Sequence, residues 1–122
     1  MNIALWTIQI ILAILYIPAG LWKIFGQSPA LESMMPGFPL PLIRLVGAGE
    51  ALAGLALVFP ALARGRQFVA GWAGAVLALE AAAFVVYHLS HGAIMPAVAT
   101  LVLGCLAAFT AKGRLESAGA SR

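Results

Sequence analysis

The chain has 122 residues, of which 63% are hydrophobic and 9% charged, and its net charge is +3. A soluble domain carries about 25% charged residues. A chain this short leaves too large a share of its surface in water to hide so much apolar material, so a free soluble domain is excluded and lipid is its natural solvent. The seven basic residues are scattered rather than gathered into a stripe, which speaks against a nucleic-acid surface.

A spanning helix needs about 20 mostly apolar residues, and four segments meet or approach that length. The first runs from Ile3 to Phe25. It has no basic leader, its apolar stretch is long, and no A-x-A-like cleavage site follows, so it reads as a retained helix rather than a signal peptide. Pro18 removes one backbone hydrogen bond inside it and predicts a kink.

The connection that follows reads "GQSPALESMMPGFPLP". Its four prolines argue against continuous helix or sheet, and Met34, Met35 and Phe38 make it partly apolar. It is expected to lie over the end of the bundle as a cap. The remaining spans are Pro41 to Leu62, Phe68 to Leu89 and Ile94 to Ala111, with residues 112–122 as a flexible tail. Strand-like alternation is absent, so a β-barrel is not expected. The fold class is therefore all-α, a single-domain four-helix transmembrane bundle.

Lys and Arg set the orientation. Arg64 and Arg66 fall in the second connection, and Lys112, Arg114 and Arg122 in the tail. The first and third connections contain neither residue type. This asymmetry predicts both termini in the cytoplasm, in a multi-pass protein of the inner or plasma membrane. Gly47, Ala51 and Gly54 on the second span, and Gly71, Ala75, Ala78 and Ala82 on the third, form small-residue stripes. Such stripes let helix backbones approach closely, so spans two and three are expected in close contact. Cys105 is the one cysteine. It forms no C-x-x-C pair and is expected to be a small buried hydrophobe.

The polar residues inside the spans are the candidates for function, because ionisable groups in a bilayer are costly and face the bundle interior or a partner. Glu50 on the second span and Glu80 on the third fall at similar depth. Side chains lean toward the N-terminus of their helix. Lys23 on the first span and Glu50 on the antiparallel second therefore tilt toward each other and are predicted to interact. Arg44 leans toward the interface and can snorkel there. From Glu80, the positions Phe84, Tyr87 and His91 share nearly one helical face, a possible polar track to the outer surface. His88 and His91 form H-x-x-H, but a metal site needs further ligands and the chain offers none nearby, so no metal is expected. There is no G-x-S-x-G, phosphate-cradling loop or H-E-x-x-H.

"AGLWKIFG" closing the first span, "RLVGAGEALAGLALVFP" across the second and "AFVVYHLSHG" closing the third resemble the DoxX-like family of small four-helix membrane proteins. The resemblance covers roughly Leu5 to Phe109. It would single out Lys23, Gly47, Glu50, Pro60 and His88; Glu80 looks less typical of the family. The family takes its name from a membrane subunit of a thiosulfate:quinone oxidoreductase, and other relatives are linked to redox stress or to assembly of membrane receptors. The resemblance thus implies a multi-pass membrane protein of that type.

Three functions are compatible with these features. The first is a non-catalytic accessory or assembly component of a membrane complex, with a protein partner. The second is a quinone-binding membrane subunit of an oxidoreductase, which would need a second subunit to supply electrons. The third is a small proton-coupled transporter, although no internal repeat or interrupted helix pair is present.

Overall fold

The computed structural model describes residues 2–63 and 65–120. Arg64 and Arg122, two of the charges used above for orientation, lie outside the described residues. The described chain forms five α-helices: α1 (Asn2–Phe25), α2 (Ser28–Met34), α3 (Leu40–Val58), α4 (Phe68–Ser90) and α5 (Ile94–Ala120). Four of them, α1, α3, α4 and α5, are long and apolar enough to cross a membrane. Their apolar length has a physical cause: in lipid every backbone amide must be satisfied within the segment, and a continuous helix does this.

Three boundaries differ from the sequence reading, each for a local reason. The second span stops as an α-helix at Val58, and a 3₁₀ turn covers Pro60–Leu62. Pro60 lacks the amide needed to extend the ladder. The capping connection contains the seven-residue helix α2, because Pro29 falls in its first turn, where a missing amide costs nothing. The fourth span does not give way to a tail at Lys112 but continues helically to Ala120. Its last turns have partners: a Cβ on Gly113 would lie 2.7 Å from Leu5, and one on Gly71 would lie 2.8 Å from Leu115.

Between α4 and α5 the chain reverses at Gly92, whose φ is +70°. Ala93 N–H donates to His88 O at 2.8 Å, and Gly92 N–H to Leu89 O at 3.1 Å. This six-to-one bond with a left-handed glycine is the usual way to satisfy the last carbonyls of a helix.

The helices pack as two close hairpins, α1 with α3 and α4 with α5, and the contact between α3 and α4 is much smaller. This corrects the expectation that spans two and three would be the intimate pair. Their glycines are used, but against other helices. A Cβ on Gly47 would sit 2.5 Å from Lys23 Cβ and 2.7 Å from Gly20 O, both on α1. One on Gly54 would sit 2.7 Å from Ile17 of α1, and one on Gly74 would sit 2.7 Å from Ala107 O of α5. The mid-bundle core joins the hairpins through Leu12, Tyr16, Leu57, Leu77 and Ala107.

Helix α2 lies over one end. Leu31 and Met35 are buried with Ile43 of α3, and Phe38 packs beside Phe84 and Tyr87 of α4. The Phe38 and Tyr87 rings meet edge to face at 5.6 Å, a favoured geometry for aromatic pairs. The connection is thus an apolar cap, as expected. Cys105 is a correction: it is exposed on the outside of the bundle. Outward positions here face lipid, where a small apolar thiol is as comfortable as in a core.

Candidate functional site

The site is built on the close approach of α1 and α3. Gly20 and Gly47 touch backbone to backbone, since a Cβ on Gly20 would lie 2.5 Å from Gly47 O and 2.6 Å from Ala51 N. Three residues after each glycine, on the same helix face, stand Lys23 and Glu50. The helices are antiparallel, so Lys23 lies nearer the α2 end and Glu50 deeper. Their inherent lean then brings them together. Lys23 Nζ donates to Glu50 Oε1 at 2.5 Å, and Glu50 is almost completely buried. The ammonium also lies 5.7 Å from the centroid of the Phe84 ring, a favourable cation–π distance.

This ion pair forms one pole of a cavity of about 480 Å³. Glu80 lines the same cavity and lies close enough to Glu50 and Lys23 to interact with both. Tyr16 and His88 are further lining groups, and the rest of the wall is mostly apolar, including Leu15, Met35 and Leu103. A volume of 300–1,000 Å³ with apolar walls and a few convergent polar groups is typical of sites for small molecules. Among the described residues, no group of three or more His, Cys, Asp or Glu side chains converges as metal ligands would.

Of the candidates named from the sequence, Lys23, Glu50, Glu80 and His88 are brought together around the cavity. Arg44, Tyr87 and His91 are engaged elsewhere. Arg44 donates to the end of α1: to Ile24 O, to Lys23 O at 3.4 Å and to Gly26 O at 3.3 Å. It thereby caps the orphan carbonyls of that helix. Tyr87 Oη donates to Pro36 O at 2.7 Å, tying the cap to α4. His91 is exposed, and its Nδ1 sits 2.9 Å from Tyr87 O at the C-terminus of α4. The expected track through Tyr87 and His91 is therefore replaced by Glu80, Phe84 and His88, spaced i, i+4, i+8. The two faces differ by a fraction of a turn, and the α4–α5 packing selects between them.

Sequence reasoning missed Tyr16. It is buried and lines the cavity. It lies seven residues before Lys23, two turns along one face. The same spacing continues back to Gln9 and Asn2, so α1 carries a polar residue every seventh position. That repeat was the available signal.

The lower half of this stripe makes a second polar cluster, with the buried Arg114 of α5. Arg114 Nε donates to Gln9 Oε1 at 2.6 Å, and Nη1 donates to Asn2 Oδ1 at 2.8 Å and to Gln67 Oε1 at 3.5 Å. Gln9 Nε2 in turn donates to Leu57 O at 2.7 Å. The guanidinium carbon also lies 5.3 Å from the Trp6 ring. Arg114, read from the sequence as a charge in a tail, is thus an interior clamp joining α1, α5 and the start of α4. The start of α1, the start of α4 and the end of α5 consequently share one end of the bundle, opposite α2.

The model of the DoxX-like family matches residues 7–110. Comparison with curated proteins and with solved structures gives no match. The chain belongs to the DoxX-like family and is a multi-pass membrane protein.

Proposed function

From that membership as premise, we propose that this protein is a membrane subunit that binds a lipophilic molecule with a compact polar head, of the quinone type, in the cavity beside Lys23 and Glu50. The observation that carries the reading is the pairing of about 480 Å³ of largely apolar space with an ion pair at its wall. A polar core built only to hold helices together has its groups surrounded by protein, as Arg114 has. Here the groups border open space.

The donor set fits such a head. The Lys23 ammonium and the Tyr16 hydroxyl can donate to carbonyl oxygens, and the carboxyls of Glu50 and Glu80 can exchange protons with an adjacent hydroxyl. A bound quinone supplies two-electron redox chemistry, and the electrons would come from a partner subunit. The chain's own part is to bind, to orient the head and to move protons at the two carboxyls. We read the capped end as facing away from the cytoplasm and both termini as cytoplasmic, because Arg66 and Lys112 lie toward the other end.

The accessory role, non-catalytic and directed to assembly of a membrane complex, is the second reading. It is favoured by the Arg114 cluster, whose hydrogen bonds join helices to one another. A proton-coupled transporter has no observation in its favour beyond the intramembrane carboxylates.

The deciding experiment is gentle purification followed by organic extraction and mass spectrometry, with Glu50→Gln as control. Stoichiometric quinone in the native protein, reduced at least tenfold in Glu50→Gln, is the expected result. No quinone in either protein would overturn the reading and leave the accessory role.

A further inference from the structure

The walls of the cavity are unequal. Its back is formed by α3 and α4, through the buried Glu50 and Ala81 and the half-buried Glu80, Phe84 and His88. Its front belongs to α1 and α5, and there the lining residues Leu15, Trp22, Pro96 and Ala99 are exposed on the outside of the bundle. The α1–α5 seam explains the difference. Away from α2 it is closed, by Leu5 against Gly113, by Gln9 bonded to Arg114, and by Leu12 in one core with Ala107. Toward α2 the cavity lies between the two helices, lined by Leu15, Ala19 and Trp22 of α1 and by Pro96, Ala99 and Thr100 of α5. The end of the bundle is covered by α2, fastened by Leu31, Met35 and the Tyr87–Pro36 hydrogen bond.

We propose that the cavity is entered sideways, from the bilayer through the gap between α1 and α5, and that its occupant is a chain-bearing lipid whose head alone is enclosed. This rests on the reading that the cavity holds a ligand, and it adds the route and the shape of that ligand. Size supports it. About 480 Å³ is the share of roughly sixteen water molecules in the liquid, enough for one substituted ring. A chain as long as the ~30 Å hydrocarbon core does not fit inside with the head. It must leave through the open front, where Leu15 and Ala99 meet lipid. A water-soluble ligand would instead have to pass the cap.

The test uses a reversible bridge across the seam. Cysteines replace Ala19 and Ala99 in a Cys105→Ala background, and a flexible bis-thiosulfonate joins them in the folded protein reconstituted in nanodiscs. Binding is followed by quenching of Trp22 fluorescence, with Trp6→Phe and Trp72→Phe removing the other tryptophans. The probes are a fully substituted benzoquinone carrying a chain of about twenty carbons and the same head with a methyl group in its place, each added after any thiol reductant is removed.

The expected result is that the unbridged protein binds the chain-bearing probe at least tenfold more tightly. The bridge slows its entry at least tenfold, and reduction of the bridge restores it. Ala99→Phe, which plugs the same gap without chemistry or a new fluorophore, should act in the same direction. If the unbridged protein binds neither probe, the ligand reading itself fails. If it binds both equally, or if neither bridge nor Ala99→Phe matters, the cavity keeps its ligand but lateral entry is overturned.

Discussion

The two halves of the polar stripe on α1 meet opposite fates. Asn2 and Gln9 bind Arg114 directly, and Gln67 just before α4 and the Trp6 ring add to the contact, leaving only the buried Nη2 without a partner among the described residues. Tyr16 and Lys23, two and three heptads farther along, border a cavity. One helix face thus serves as a clamp at one end and as the wall of a site at the other. The difference lies in the partner helix. At the clamp α5 bonds directly to α1, whereas at the site residues of both helices line a cavity. Polar groups in a membrane protein therefore do not identify a site by their presence; what separates the two clusters is whether protein fills the space before them.

Substitutions at the two ends should divide in the same way. The largest loss of stability is expected for Arg114→Leu, about 2–4 kcal/mol. Gln9 would keep its buried oxygen and lose the donor, and unpaired buried polar groups are what make such changes costly. Thermal unfolding in mild detergent reads this, while bound ligand per folded molecule should stay unchanged. A ligand loss equal to the stability loss would erase the distinction between the ends.

Glu50→Gln should show the reverse pattern: a tenfold or greater fall in bound ligand, about 1.4 kcal/mol in binding, with a smaller change in unfolding. Exchanging the charges, Lys23→Glu with Glu50→Lys, should recover stability that each single reversal loses. A double-mutant cycle with no coupling would remove the ion pair as the organiser of the site.

Tyr87→Phe loses one hydrogen bond, about 1 kcal/mol. Faster hydrogen exchange confined to residues 28–38 would show that Tyr87 holds the cap rather than a ligand. The smallest effects separate the two histidines. His91→Ala should leave ligand content and stability within about 0.5 kcal/mol, as for other surface changes. His88→Ala should alter ligand content without unfolding the protein, since it lines the cavity.

Much of the site was legible in the sequence. Gly20 and Gly47 sit three residues before Lys23 and Glu50, and the lean of helical side chains predicts their meeting on antiparallel helices. That argument needs only local geometry. The face of α4 was not legible to the same degree: Tyr87, His88 and His91 lie within one turn, and a small rotation of the helix decides which of them faces inward. Nor was the pairing of the hairpins, because glycine stripes state that some backbone approaches closely and not which one.

The sequence by itself determined the number of spans, the cap, and the meeting of Lys23 with Glu50. Apolar length and backbone satisfaction in lipid allow little else. The tertiary structure alone decided which faces meet. Buried Leu12 and Leu77 and outward-facing Leu52 and Leu79 are the same residue type, since lipid is as apolar as the protein interior and the pattern along the chain barely distinguishes them. Packing at a few glycines resolves that ambiguity, closing the α1–α5 seam at Arg114 and leaving it open beside Lys23 and Glu50.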